Sequence, residues 1–140
     1  MKTKQENTLK FTKVRKVKSP TRAHATDAGI DFFVPEDLTK AVIDEKTDMT
    51  RTSVILSVED GVVKSMTLEP RQSILIPSGI KVKVPDGYML QFNNKSGVAS
   101  KKGLVVGASI VDVGYEGECH LDLHNISNRS QTINAGDKIV

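Results

Sequence analysis

Apolar and polar residues alternate along much of this chain, the period-two pattern of strands with one buried and one solvated face. The clearest case is Ile80, Val82 and Val84 interleaved with Lys81 and Lys83. No long segment holds an apolar i, i+3, i+4, i+7 stripe, so helix is predicted only for one short piece near 98–102. Strands are predicted at 9–17, 30–34, 54–58, 62–68, 73–76, 80–84, 88–92, 104–106, 109–111 and 119–124. Pro35 and Pro77 are read as stops, Asp60-Gly61 as a hairpin turn and Pro85-Asp86-Gly87 as a second turn. The polar stretch 39–51 reads as a loop. Gly136-Asp137 looks like a turn into a further strand, represented by Ile139 and Val140. Many short strands at close spacing predict an all-β chain, a distorted β-barrel or jelly-roll-like sandwich with at most one short helix.

Composition narrows the class. With 140 residues, 38% of them apolar, the chain suits a single domain, 1–140, with a real core. Aromatics make up 4% and Trp is absent, so Val, Ile and Leu must fill that core. Cys119 is the single cysteine, which excludes an intrachain disulfide and fits a reducing compartment; it reads as a plain strand residue. No apolar run approaches the roughly 20 residues of a membrane span, and residues 1–10 lack an apolar signal core. A soluble, cytoplasmic protein is expected. The net charge of +3 divides into +7 up to residue 22 and −4 beyond. Sparse aromatic interleaving there argues against a nucleic-acid-binding arm; a flexible basic tail at 1–8 and a solvated strand face account for it.

Four segments carry candidate chemistry. Ala28-Gly29-Ile30-Asp31-Phe32 puts a carboxylate just after a small-residue turn. In Asn94-Lys95-Ser96-Gly97-Val98-Ala99, a lysine, a hydroxyl and a glycine at a loop end form the ingredients of an anion cradle. The stretch Val106 to Glu118 holds Asp112 and Tyr115 near the tip of a glycine-punctuated hairpin. Gly136-Asp137-Lys138-Ile139-Val140 is the fourth. His120 and His124 share one side of a strand at a spacing that argues against a zinc site, and no Gly-x-x-x-x-Gly-Lys-(Ser/Thr) loop occurs.

Together, in this order, these segments resemble the motifs of the dUTP pyrophosphatase (dUTPase) family. The resemblance runs from about residue 9 to 140, interrupted by an apparent hairpin insertion at 39–67. Departures are Phe32 for the family's Leu, Asn94 and Lys95 for Pro and Arg, and Ser109 for Gly. Lys95 keeps the charge of Arg but loses its bidentate fork. The family's fourth motif continues into Gln, and a fifth, a Gly-rich tail that closes over the substrate, would follow Val140. That closing tail is absent from the sequence, which implies either a longer chain or reduced activity.

The resemblance implies hydrolysis of dUTP to dUMP and pyrophosphate by a homotrimer, with each site shared between subunits. It implies that Ser109, Ile110, Val111, Asp112, Tyr115 and the backbone of His120 bind uracil and deoxyribose, with Tyr115 against the sugar. Lys95, Ser96 and Gly97 would hold phosphate. Asp31 would order the water shell of Mg²⁺, which has no direct protein ligand. Asp112 would act as the catalytic base for water attacking the α-phosphorus. Two other readings stay open: a dCTP deaminase of the same fold, in which Asp122 stands where that enzyme keeps a catalytic Glu, and a nucleotide-binding regulatory protein whose 39–67 insertion meets a protein partner. In the first reading Gly97 favours the pyrophosphatase, and Asp122 is expected to face solvent or a subunit neighbour.

Overall fold

A computed structural model describes residues 8–50 and 54–140. The basic tail expected at 1–8 therefore lies almost wholly outside the described residues. Among the described residues, nine strands and one α-helix follow in order: β1 (Lys10–Lys13), α1 (Lys40–Thr50), β2 (Ile55–Glu59), β3 (Val62–Leu68), β4 (Ser73–Lys83), β5 (Leu90–Gln91), β6 (Leu104–Val106), β7 (Ile110–Val111), β8 (Glu118–Asn125) and β9 (Gln131–Asn134). One sheet runs β1-β4-β8-β6, a second β2-β3-β9, and β5 pairs with β7 as a small ribbon. All pairings are antiparallel.

Alternation does the work the sequence predicts. In β8 the core side is Cys119, Leu121, Leu123 and Asn125, and the other side is Glu118, His120, Asp122 and His124. β3 buries Val63, Met66 and Leu68, and β9 adds Ile133. Asp60 and Gly61 both have positive φ, 51° and 77°, as the tight turn between β2 and β3 requires. Since β3 also pairs with β9 from Ser65↔Asn134 to Leu68↔Gln131, the end of the 39–67 segment joins the main core through Val63 and Met66.

Three expectations are corrected. The stretch 39–51, read as a loop, is α1 over Lys40–Thr50. Its apolar supply in the described part is little more than Val42 and Ile43, too few to make a stripe; full burial of Ile43 and a Thr39 side chain that accepts from the Val42 amide hold it instead. Pro77 does not stop a strand: β4 runs through it, because the pairing with β8 shifts register between Pro77 and Lys81 and leaves the missing N–H at an irregularity. The predicted strand 30–34 forms only isolated bridges, Thr21↔Asp31 and Phe33↔Lys138. Its remaining partners are Gly136, Asp137, Ile139 and Val140: the Phe32 amide donates to the Val140 carbonyl at 2.9 Å, and the Ile139 amide to that of Phe32 at 3.0 Å. That pairing buries Phe32, Phe33, Ile139 and Val140 and brings the first motif beside the fourth. The short helix expected at 98–102 is present as a single π-helical turn, Val98–Lys102. Among the described residues, no helix is long and apolar enough to cross a membrane.

Candidate active site

The β5–β7 ribbon sets the first cavity. Val111 lies opposite Leu90, and the Phe92 amide donates to the Ser109 carbonyl at 2.8 Å. After β7 the chain turns, with the Tyr115 amide on the Asp112 carbonyl at 3.1 Å, and enters β8 at Glu118. The fold encloses about 200 Å³ between this hairpin and β8. All six residues expected at the base and sugar line it: Ser109, Ile110, Val111, Asp112, Tyr115 and His120, backed by Phe92, Leu75 and Cys119.

Each polar group there has a cause for its place. The Tyr115 hydroxyl donates to the Glu118 carbonyl at 2.8 Å, and its ring lies so close to Gly117 that a Cβ there would come within 2.7 Å of the hydroxyl. His120 Nδ1 sits 2.9 Å from the same carbonyl. Burial, helped by the charge of Lys46, lowers the His120 pKa from its usual 6.5, so the ring is neutral at pH 7. Burial pushes the Cys119 thiol up to about 11, which leaves it an unreactive packing residue, as expected.

Asp122 is partly exposed, with 19% of its side chain accessible. It lines the same cavity, its Oδ2 accepts from the Ala108 amide at 2.8 Å, and its Oδ1 lies 3.0 Å from His124 Nε2. The latter pair is close but not aligned as a hydrogen bond. Gly107 passes directly over both groups, where a Cβ would stand 2.4 Å from His124 Nε2 and 2.5 Å from Asp122 Oδ2. The period-two pattern of β8 was the available signal: it places Asp122 on the face of His120.

A second cavity, about 420 Å³, is lined by Ala28, Gly29, Ile30, Asp31 and Phe32 of the first segment, with Asn93, Asn94, Lys95 and Val140. Lys95 Nζ donates to Asp31 Oδ1 at 2.6 Å, and Lys138 Nζ lies 3.5 Å from Oδ2. The Lys95 hydrogen bond, with the charges of both lysines, outweighs burial and holds the Asp31 carboxyl below the usual carboxylate range. Asn94 Oδ1 accepts from the Val106 amide at 2.7 Å and so ties this segment to β6. Phe32 meets Phe92 edge to face at 5.0 Å, and Phe92 lines both cavities.

The structure thus joins Asp31 to Lys95, and the six hairpin residues to one another. Ser96 and Gly97 are exposed at the start of the helical turn, where Ser100 Oγ donates to the Ser96 carbonyl at 2.6 Å. Gly97 has an ordinary right-handed backbone, φ −66°, and nothing lies within 4 Å of where its Cβ would be. Its lack of a side chain therefore answers to no neighbour among the described residues.

This is an all-β architecture with a cavity at its hairpin, and its relatives share it. The dUTPase family model matches residues 61–140, and the chain belongs to that family. It is 35% identical over 92 residues to the deoxyuridine 5'-triphosphate nucleotidohydrolase of Fusobacterium nucleatum, covering 64% of this chain and 63% of that protein. The enzyme of the same name from Finegoldia magna is 38% identical over 76 residues, 53% of each. The chain therefore spans roughly half to two thirds of the length of these relatives. Among solved structures, the dUTPase of phage phi11 of S. aureus superposes with a TM-score of 0.70 at 24% identity, over 95% of this chain and 86% of that one. The dUTPase of Staphylococcus bacteriophage 80alpha superposes equally well, 0.70 at 23% identity over 96% and 86%. These two likenesses establish the fold.

Proposed function

We propose that this protein hydrolyses dUTP to dUMP and pyrophosphate. The observation that carries the proposal is the single 200 Å³ cavity in which all six hairpin residues meet, with Asp112 exposed at its lining. A small, half-open pocket suits a bare pyrimidine: a base with the wrong edge leaves polar groups of the site unpaired. Ser109, Ile110, Val111 and the backbone of His120 read that base. Tyr115, hydrogen-bonded through its hydroxyl, presents its ring to the sugar and leaves no room for a 2′-hydroxyl.

Lys95, Ser96 and Gly97 take the phosphates. Lys95 supplies a point charge, Ser96 a hydroxyl, and Gly97 open space. Asp112 aligns water on the α-phosphorus and accepts its proton as pyrophosphate leaves. Asp31 is the carboxylate that would meet the water shell of magnesium; its oxygens now face Lys95 and Lys138, so the ion would gain it only as those lysines turn to phosphate. When bound, the ion neutralises phosphate charge in the transition state.

The assembly proposed is a soluble, cytoplasmic homotrimer in which hairpin and phosphate cradle come from different subunits. The open space over Gly97 supports this. A protein partner at 39–67 remains part of the proposal; Ile55 and Val58 are exposed there on β2, an edge strand.

The dCTP deaminase alternative would rest on Asp122 in the cavity. Its Oδ2 already accepts the Ala108 amide, which favours a scaffolding carboxylate over a proton shuttle. The test is pyrophosphate and ammonia release from dUTP, dCTP, dTTP and UTP side by side, with and without Mg²⁺. Mg²⁺-dependent pyrophosphate from dUTP alone is expected; ammonia from dCTP would replace this proposal with the deaminase.

A further inference from the structure

We infer that the ion pair between Arg15 and Glu118 positions Tyr115 and His120 at the nucleoside cavity, which makes Arg15 a positioning residue for recognition. The inference rests on the function proposed above. Arg15 lies just after β1, 103 positions from its partner. Its guanidinium forks onto the carboxylate, Nε to Oε2 at 2.8 Å and Nη2 to Oε1 at 3.1 Å. Oε2 also accepts the Gly79 amide at 2.7 Å, at the register shift of β4. The side chain of Glu118 is thereby held from two separate segments.

The carbonyl of Glu118 carries the consequence. It accepts the Tyr115 hydroxyl at 2.8 Å and faces His120 Nδ1 at 2.9 Å. Tyr115 is 45% exposed, so core packing does not fix its ring. What holds it is that hydroxyl bond and the bare face of Gly117 beneath, and both depend on how the backbone runs from Gly117 through the Glu118–Cys119 peptide. The anchor itself has little slack. A Cβ on Gly79 would stand 2.9 Å from Val17 Cγ1 and 3.0 Å from Arg15 Cβ, so the segment bearing Arg15 crosses the bulge in close contact. The two charged side chains are only 24% and 14% exposed, a setting in which a bidentate pair is directional and less screened than a surface one. Lysine offers no such fork.

Tyr115 gives a direct readout. The chain has two tyrosines and no tryptophan, so in a Tyr88→Phe background near-ultraviolet dichroism and fluorescence anisotropy report the Tyr115 ring alone. In that background Arg15→Met is expected to lose most of the tyrosine dichroism and to lower the anisotropy, with Arg15→Lys intermediate. In kinetics, KM for dUTP should rise about tenfold with kcat changed about twofold or less, and discrimination against UTP should fall about tenfold. Far-ultraviolet dichroism checks folding; if Arg15→Met does not fold, Arg15→Lys, which keeps stem and charge, decides. A folded variant with an unchanged ring signal and an unchanged dUTP-to-UTP ratio overturns the inference, even if it melts earlier, because the pair would then be merely structural. Failure of the wild type to hydrolyse dUTP sinks the proposed function instead, and the ring signal still decides the role of the fork.

Discussion

Lys95 and Asp31 are 64 positions apart in sequence and joined at 2.6 Å in the fold, so the lysine offered to phosphate is already held by the carboxylate offered to magnesium. Phosphate must compete for that ammonium. Under the proposed function, the carboxylate would be freed as phosphate takes the lysine. Asp31→Asn should therefore bind pyrophosphate more tightly than wild type in the absence of metal, by about threefold to tenfold, and lose most of the Mg²⁺ stimulation of turnover. Calorimetry with pyrophosphate, beside a Mg²⁺ titration of activity, checks both directions. Weaker pyrophosphate binding would mean that the ion pair builds the anion seat rather than guarding it.

Asp112 is exposed at the lining of the hairpin cavity. Asp112→Asn preserves shape and removes the base, so kcat should fall about 10²- to 10⁴-fold with KM nearly unchanged. Steady-state turnover of dUTP is the measurement, and near-normal turnover would remove the assignment.

Gly97 has a right-handed backbone and open space around it, so Ala in its place meets no neighbour among the described residues. Gly97→Ala should leave the monomer as stable or stabilise it by about 0.5–1 kcal/mol, since Gly is the more entropic residue in a helical position. Activity should nevertheless fall, because the methyl group would occupy the proposed phosphate space. Thermal melting and dUTP turnover on one preparation separate the two effects; full activity would place phosphate elsewhere.

His120 predicts a pH dependence. Burial lowers its folded pKa below 6.5, so the folded state binds this proton less readily than the unfolded chain. Its contribution is therefore complete above pH 6.5 and is lost as pH falls through the lower folded value. Between pH 7 and pH 5 the wild type should lose more melting temperature than His120→Asn. Parallel melting curves would contradict the buried neutral ring.

The legible parts of the fold share one property: their cause lies within a few residues. The Asp60-Gly61 turn, the alternation of β8 and the strands at 62–68 and 104–106 follow from neighbouring side chains and local backbone preference. The hairpin residues from Ser109 to Tyr115 are contiguous, so their convergence on one cavity followed once the hairpin was recognised. α1 was hidden because Ile43, the one fully buried anchor among its described side chains, cannot make a periodic stripe. β9 was hidden for the same reason: Ile133 is its only apolar residue, and its pairing with β3 is what makes it a strand.

By itself, the order of residues determined the strand period, the turns and the chemical groups present near a nucleotide. Tertiary packing decided which charges neutralise one another: Lys95 with Asp31, Arg15 with Glu118, and Asp122 turned into the cavity beside Ala108. The reason is range. Backbone preference and side-chain alternation act over a few residues, whereas an ion pair across 64 or 103 positions exists only after the whole core has closed the loop between its partners.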